Sequence, residues 1–186
     1  MILARPTIAL VVGHKKISQG AIRPDSITEW MFNCEVASLV LTNPKPTNYT
    51  IPMGGTYIRD SGSMGDLVKL INSDKPDYVV ELHFNSATDT TVQYPAILHC
   101  KGSATGEKLA HFIARSDGVW DRAKVQARDT SWNGSELKIL TRTHAVAFIL
   151  EPYFGSGTDY RDWTPERVAK WVIAFMTKLG TLHHGM

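Results

Sequence analysis

The chain has 186 residues, 43% hydrophobic and 20% charged, which is enough for one domain with a sizeable core and typical of a globular protein. The 20 Lys and Arg against 18 Asp and Glu give a net charge of +2 without a basic run, so the sequence argues against a nucleic-acid partner. No apolar stretch approaches the length of a membrane span, and we expect no membrane insertion.

The predicted elements alternate along the chain. Strands are expected where short apolar or β-branched runs occur, at 7–13, 49–52, 78–83, 96–100, 137–141 and 145–151. Helices are expected at 27–41, 63–72, 103–116 and 164–179. Residues 54–62 read as loop, and residues 117–136 show no clear period. This alternation predicts an α/β fold with a twisted, mostly parallel sheet and helices on both faces. We expect a single domain at 1–180 and a C-terminal tail at 181–186.

The N-terminal sequence MILARPTIALVVGHKK has no secretory pattern. Its apolar run, TIALVV, is six residues long and is not followed by a small-residue cleavage site. Cys34 and Cys100 form no CxxC pair and are typical of reduced core thiols. We therefore expect synthesis in a cytoplasm.

Three of the predicted strands end in side chains that bind metals or transfer protons, namely His14, His83 and Glu151. The carboxyl ends of parallel strands meet at one edge of a sheet, where α/β proteins bind their ligands. A catalytic zinc site needs three protein ligands and one open position. The two histidines therefore indicate a metal site that lacks one ligand.

Glu29 is the candidate for that ligand, because it lies in the first turn of the helix that follows His14. The segment Ser26-Ile-Thr-Glu29 is also a capping box, in which Glu29 would only bond an amide of its own helix. The pattern leaves both readings open. Glu151 ends a six-residue apolar run, and a partly desolvated carboxylate is what a general base requires.

The remaining candidates are weaker. Glu81 alternates with His83 along one strand, so it either orients a ligand or pairs in the interior. His99 and His144 flank strands, and His111 is expected at the surface of a helix. The segment 117–136 either lines a cleft or is a surface loop whose tryptophans anchor in the core; its polar and aromatic residues include Trp120, Arg122, Arg128 and Trp132.

Five stretches resemble, in order, the zinc-dependent N-acetylmuramoyl-L-alanine amidases of the amidase-3 type. They are Val12-Gly13-His14, Glu29-Trp-Met-Phe-Asn33, His83-Phe-Asn85-Ser-Ala87, the helix start Ser103-Ala-Thr-Gly-Glu-Lys-Leu-Ala110, and Phe148-Ile-Leu-Glu151-Pro-Tyr-Phe154. The resemblance extends from about Thr7 to Trp171. The chain departs from the family pattern at Lys15 and Lys16, where glycines are usual.

The resemblance implies that His14, Glu29 and His83 bind Zn²⁺ and that Glu151 is the catalytic carboxylate. The implied reaction is hydrolysis of the amide between N-acetylmuramic acid and the L-alanine of the stem peptide, with Glu151 transferring the proton. Peptidoglycan is then the partner. Asn85 would bind substrate or brace His83, and Arg128 would meet a stem-peptide carboxylate.

A wall hydrolase without a leader resembles a phage endolysin, made as a monomer in the host cytoplasm and acting on the wall after release. Two alternatives stay open at this point. One is another zinc amide hydrolase, carboxypeptidase-like or N-formylglutamate-amidohydrolase-like, although carboxypeptidases join His and Glu within a shorter loop than His14 to Glu29. The other is a non-catalytic wall-binding module, which has no need of Glu151.

Overall fold

The computed structural model describes residues 5–42, 49–50, 56–116, 118, 120–129 and 137–183. Within them the strands are β1 (Ile8–Val12), β2 (Thr56–Tyr57), β3 (Tyr78–Leu82), β4 (Ala96–Cys100), β5 (Lys124–Arg128) and β6 (Val146–Glu151). The helices are α1 (Glu29–Thr42), α2 (Met64–Asp74), α3 (Ala104–Arg115), α4 (Lys138–Arg142) and α5 (Pro165–Leu182). The strands form one sheet, and the predicted α/β class with a mostly parallel sheet is confirmed.

The sheet has the strand order β2-β1-β3-β6-β4-β5. Strands β2, β1, β3 and β6 run parallel to one another, so the carboxyl ends of β1, β3 and β6 lie at one edge. Strand β4 runs antiparallel to β6, and β5 is parallel to β4. The ends of β4 and β5 therefore point to the opposite edge of the sheet.

Helices cover both faces of the sheet, as expected. On one face α1, α3 and α5 pack on the larger core, which includes Phe32, Leu109 and Phe175. On the other face α2 and α4 pack on a smaller core through Ile71 and Leu140. The uniformly buried strands β1 and β3 lie between these two layers, which explains their continuous apolar sequences.

Two secondary-structure predictions are wrong, and one strand lies where no element was predicted. Residues 138–142 form helix α4 rather than a strand, since five residues are too few for periodicity to separate the two. Strand β5 lies in the stretch without a clear period, because it is an edge strand that is partly exposed on both faces. The predicted loop at 54–62 contains the two-residue strand β2, which pairs with Leu10 and Val11.

The predicted helix starts at Ser103 and Thr164 are confirmed. The Ser103 hydroxyl accepts a hydrogen bond from the Gly106 amide, and the Thr164 hydroxyl accepts one from the Arg167 amide. Helix α5 continues to Leu182, into the stretch that we assigned to the tail, and His183 contacts the Tyr78 hydroxyl at 3.1 Å. Among the described residues, no helix combines the length and apolar character that a membrane crossing demands.

Candidate metal centre and active site

His14 follows the last residues of β1 in an uncommon backbone conformation. Its φ of 62° lies in the left-handed region, which costs a non-glycine residue of order 1–3 kcal/mol. The chain turns here into a tight loop closed by two hydrogen bonds between Lys15 and Ser18. The turn directs His14 toward Glu29, and its Nε2 lies 3.0 Å from Glu29 Oε2.

Glu29 is the first residue of α1 and is only 3% exposed. Its carboxylate accepts hydrogen bonds from the backbone amides of Ala21 and Phe84, both at 3.2 Å. The capping box is not formed, because the Glu29 amide donates to the Ala21 carbonyl and the Ser26 amide donates to the Arg23 carbonyl. The Thr28 hydroxyl caps the helix instead, by accepting from the Met31 amide. The Glu29 carboxylate is therefore turned away from its own helix and toward the two histidines.

His83 directly follows β3, and its amide donates to the Leu150 carbonyl at 3.0 Å. Its Nδ1 lies 2.7 Å from Glu29 Oε1. The rings of His83 and His14 make an edge contact with centroids 5.0 Å apart. Glu29 thus contacts one nitrogen of each histidine with a different carboxylate oxygen.

Two glycines leave the space that this cluster occupies. A Cβ at Gly13 would lie 2.5 Å from Cε1 and Nε2 of His83. A Cβ at Gly20 would lie 2.6 Å from His14 Nε2 and 2.7 Å from Glu29 Oε2. Gly20 also has a φ of +78°, which disfavours side chains on its own account. Neither position accepts a side chain without displacing the cluster.

The donor set fits a catalytic zinc ion. One ligand atom from each of His14, Glu29 and His83 lies within 4.8 Å of the others, an arrangement suited to a single cation. Two imidazoles and a carboxylate are among the three-ligand sets of catalytic zinc. Burial would raise the pKa of Glu29, but the hydrogen bonds with His14 and His83 outweigh burial and hold it at about 2. Glu29 is therefore ionised, as a metal ligand must be.

Glu151 ends β6 at the same edge of the sheet. The Asn85 side-chain amide donates to its Oε2 at 2.7 Å, and Asn85 Oδ1 accepts from the Ser86 amide at 2.8 Å. Burial, with a smaller contribution from the charge of Glu29, raises the pKa of Glu151 to about 7, against the opposing charges of His83 and Arg128. A carboxylate with this pKa can accept a proton and return it near neutral pH.

These residues surround one cleft with a volume of about 470 Å³. Both polar and apolar residues line it. The polar members include His14, Glu29, His83, Asn85 and Glu151, and the apolar members include Leu98, Leu137 and Ile149. Three predicted zinc ligands and the predicted general base therefore share one cavity.

The other predicted candidates lie elsewhere or act indirectly. Arg128 ends β5 at the far edge, in register with Cys100, and its side chain returns toward Gln126. Its charge still acts on Glu151, although Arg128 is not among the residues that line the cleft. Trp120 is 2% exposed and donates to the Trp171 carbonyl, so it anchors in the core. Trp132 lies outside the described residues.

The weaker histidines do not join the cluster. His99 is buried at the far edge, aligned with Phe148, and its Nδ1 contacts the Cys100 carbonyl. His144 is exposed, and His111 lies half-buried on α3. The sequence did not reveal the contact between Asn85 and Glu151, because these residues are 66 positions apart.

Residues 8–171 match the Amidase_3 family, described as N-acetylmuramoyl-L-alanine amidase. No curated protein sequence is significantly similar to the chain.

Solved structures support the fold. An amidase from Mycobacterium smegmatis is 14% identical, with 99% of each chain covered and a TM-score of 0.69. The CwlD amidase from Clostridioides difficile, in complex with the GerS lipoprotein, is 14% identical, with 96% of this chain and 98% of that chain covered and a TM-score of 0.67. The catalytic domain of an endolysin targeting Clostridia difficile is 17% identical, with 96% and 98% covered and a TM-score of 0.61.

Proposed function

The chain belongs to the Amidase_3 family of N-acetylmuramoyl-L-alanine amidases, and we propose that it is a zinc-dependent peptidoglycan amidase that lyses cell walls. It would hydrolyse the amide between N-acetylmuramic acid and the L-alanine of the stem peptide. The observation that carries this proposal is the cleft shared by the His14, Glu29 and His83 cluster and the Glu151 carboxylate.

His14, Glu29 and His83 would hold the zinc ion through the histidine nitrogens that face Glu29 and through the Glu29 carboxylate. A bound zinc ion supplies Lewis-acid activation of water and of the amide carbonyl. The backbone amides of Ala21 and Phe84 keep the Glu29 carboxylate oriented for this task. The left-handed backbone at His14 directs the imidazole of His14 toward Glu29.

Glu151 is the proton carrier in this proposal. It accepts a proton from the attacking water as the water oxygen bonds to the lactyl carbonyl carbon. It then donates that proton to the L-alanine nitrogen as the carbon–nitrogen bond breaks. A pKa raised by burial to about 7 suits both steps. Asn85 orients Glu151 through the 2.7 Å hydrogen bond, so its role is to brace the base rather than His83.

Apolar lining residues of the cleft and the charge of Arg128 set the environment of the reaction. Leu98, Leu137 and Ile149 line the same cleft as Glu151, where burial raises the pKa of Glu151. The positive charge of Arg128 lowers the pKa of Glu151 and so opposes that rise. Arg128 would also contact a carboxylate of the stem peptide directly. Together these effects keep the pKa of Glu151 at about 7, so that Glu151 can take up and release a proton near neutral pH.

The decisive experiment is digestion of purified peptidoglycan with and without a chelator, followed by typing of the new ends. We expect free L-alanine amino groups, no new reducing sugars, and loss of activity that zinc restores. New reducing ends would exclude an amidase. Full activity after removal of the metal would exclude the zinc dependence alone.

Synthesis in a cytoplasm, with action on the wall after release as a phage endolysin, is part of the same proposal. Its support is the fold shared with an endolysin catalytic domain. Producing the protein inside bacteria tests this point: turbidity should fall only after the membrane is opened by a pore-forming agent. Lysis without that agent would contradict it, and a Glu151→Gln protein is the control.

A further inference from the structure

Glu81 is a buried carboxylate in an otherwise apolar layer. It lies in the central strand β3, in register with Val11 of β1 and Ile149 of β6, and is 3% exposed. Both neighbours belong to the smaller core on this face of the sheet. Burying a carboxylate without a partner is costly, and an apolar side chain would pack here as well. Its presence in this layer requires a charged or hydrogen-bonding partner.

The nearest such partner is the ring of His83. Glu81 Oε1 lies 3.5 Å from His83 Nε2 and has no hydrogen-bond partner among the residues that the structure describes. The partly buried Arg59 guanidinium also attracts the Glu81 carboxylate. The carboxylate therefore interacts with the imidazole and with a cation, and one oxygen is available to accept a ring N–H.

The two nitrogens of His83 face two different carboxylates. Nδ1 lies 2.7 Å from Glu29 in the ligand cluster, and Nε2 faces Glu81 below it. A neutral imidazole carries one N–H and one lone pair, and a metal ligand must present the lone pair. An N–H on Nε2 that donates to Glu81 leaves the Nδ1 lone pair for the metal.

We propose that Glu81 is a positioning residue that holds His83 with Nε2 protonated and Nδ1 directed at the metal. This role rests on the zinc dependence proposed above. Gly13 adds a steric limit, because a Cβ there would occupy the position of Cε1 and Nε2 of the ring. Mutation of a carboxylate that hydrogen-bonds a metal-binding histidine typically weakens metal affinity by about 10–100-fold.

The test compares Glu81→Leu, which removes the carboxylate, with Glu81→Gln, whose amide oxygen still accepts from Nε2. Zinc affinity is measured by competition with a chromophoric chelator, independently of catalysis. We expect about 10–100-fold weaker binding for Glu81→Leu and a smaller loss for Glu81→Gln. The matched control is Glu35→Gln on the exposed side of α1, which should bind zinc like the wild type.

A second readout separates positioning from packing. In the zinc-loaded wild type, the exchangeable Nε2 proton of His83 should resonate far downfield in the NMR spectrum because it donates to a carboxylate. It should move upfield in Glu81→Gln and further in Glu81→Leu. A packing role alone would alter thermal unfolding of the metal-free protein without moving this resonance.

The outcomes distinguish this role from the proposed function. Zinc affinity of Glu81→Leu within about threefold of the wild type, with an unchanged ring proton, would overturn the role while the zinc dependence stands. A wild-type protein that binds no zinc would overturn both. If Glu81→Leu does not fold, the test rests on Glu81→Gln. Unchanged zinc affinity and an unchanged His83 ring-proton resonance in Glu81→Gln would show that the Glu81 carboxylate does not position His83.

Discussion

The two edges of the sheet differ in chemistry although both receive polar strand ends. At one edge, parallel strands β1, β3 and β6 bring together His14, His83 and Glu151. At the other edge, the reversed strands β4 and β5 end in His99, Cys100 and Arg128, and the described residues there form no metal-binding group. Strand direction, rather than the presence of a histidine, decides which strand ends become a site.

A second difference lies in how the polar groups are supported. The Glu29 carboxylate accepts hydrogen bonds from two backbone amides and contacts two histidines. The Glu151 carboxylate accepts a hydrogen bond from the side-chain amide of Asn85. His99 at the far edge contacts the carbonyl of the adjacent residue. The supports of the cleft come from distant parts of the chain, which is what holds reactive groups at fixed positions.

The largest effect is expected from Glu151→Gln. Loss of a positioned proton carrier lowers rates by about 10²–10⁴-fold, and the amide keeps the shape of the side chain. Turnover should therefore fall by this factor while zinc affinity stays close to that of the wild type. The measurement is the release of L-alanine amino groups from peptidoglycan. Activity within tenfold of the wild type, which corresponds to less than about 1.4 kcal/mol of activation free energy, would show that Glu151 is not the proton carrier.

A matched pair of histidine variants compares the two edges directly. His14→Gln should weaken zinc binding by more than about 10–100-fold, the loss typical when a residue that only hydrogen-bonds a metal ligand is mutated. The loss is larger because His14→Gln removes a ligand itself. His99→Gln should leave zinc affinity unchanged, because His99 lies at the far edge. Chelator competition measures both, and circular dichroism verifies folding. Equal losses in the two variants would contradict the assignment of the site to one edge.

Asn85→Ala tests the support of the base. A hydrogen bond to a charged group contributes about 1.5–3 kcal/mol, so we expect kcat to fall by about tenfold or more. KM should change little if Asn85 acts through Glu151, whereas a substrate contact would raise KM. Steady-state kinetics on soluble muropeptides separates these two roles. The double variant with Glu151→Gln should lose no more than Glu151→Gln alone.

The smallest effect is expected from Arg128→Gln. The Arg128 charge lowers the pKa of Glu151, so its removal should raise that pKa further. Glu151 acts as a base when deprotonated, and activity therefore rises as the pH increases through its pKa. The acid limb of the profile should move to higher pH in Arg128→Gln and stay in place in Arg128→Lys. A bound zinc ion would lower the pKa of Glu151 in all three proteins alike, so the direction of the difference would stay the same. An unmoved limb would show that the charge of Arg128 does not reach the base.

The apolar runs of the sequence determined much of the architecture. The β-branched run before Gly13, the run from Tyr78 and the run before Glu151 predicted three buried strands, and their polar ends predicted the shared edge. Strand β5 and helix α4 were not predictable from pattern, since an edge strand has no buried face to create a period and five residues are too few to show one.

The sequence by itself determined which side chains are available for chemistry, because a histidine or carboxylate that ends an apolar run is visible in the residue order. Only the tertiary structure decided their tasks. The choice of Glu29 between cap and site depended on the amides of Ala21 and Phe84, and the support of Glu151 depended on Asn85. The reversal of β4 removed His99 from the site. These outcomes depend on contacts between distant segments and on strand direction, which local periodicity does not encode.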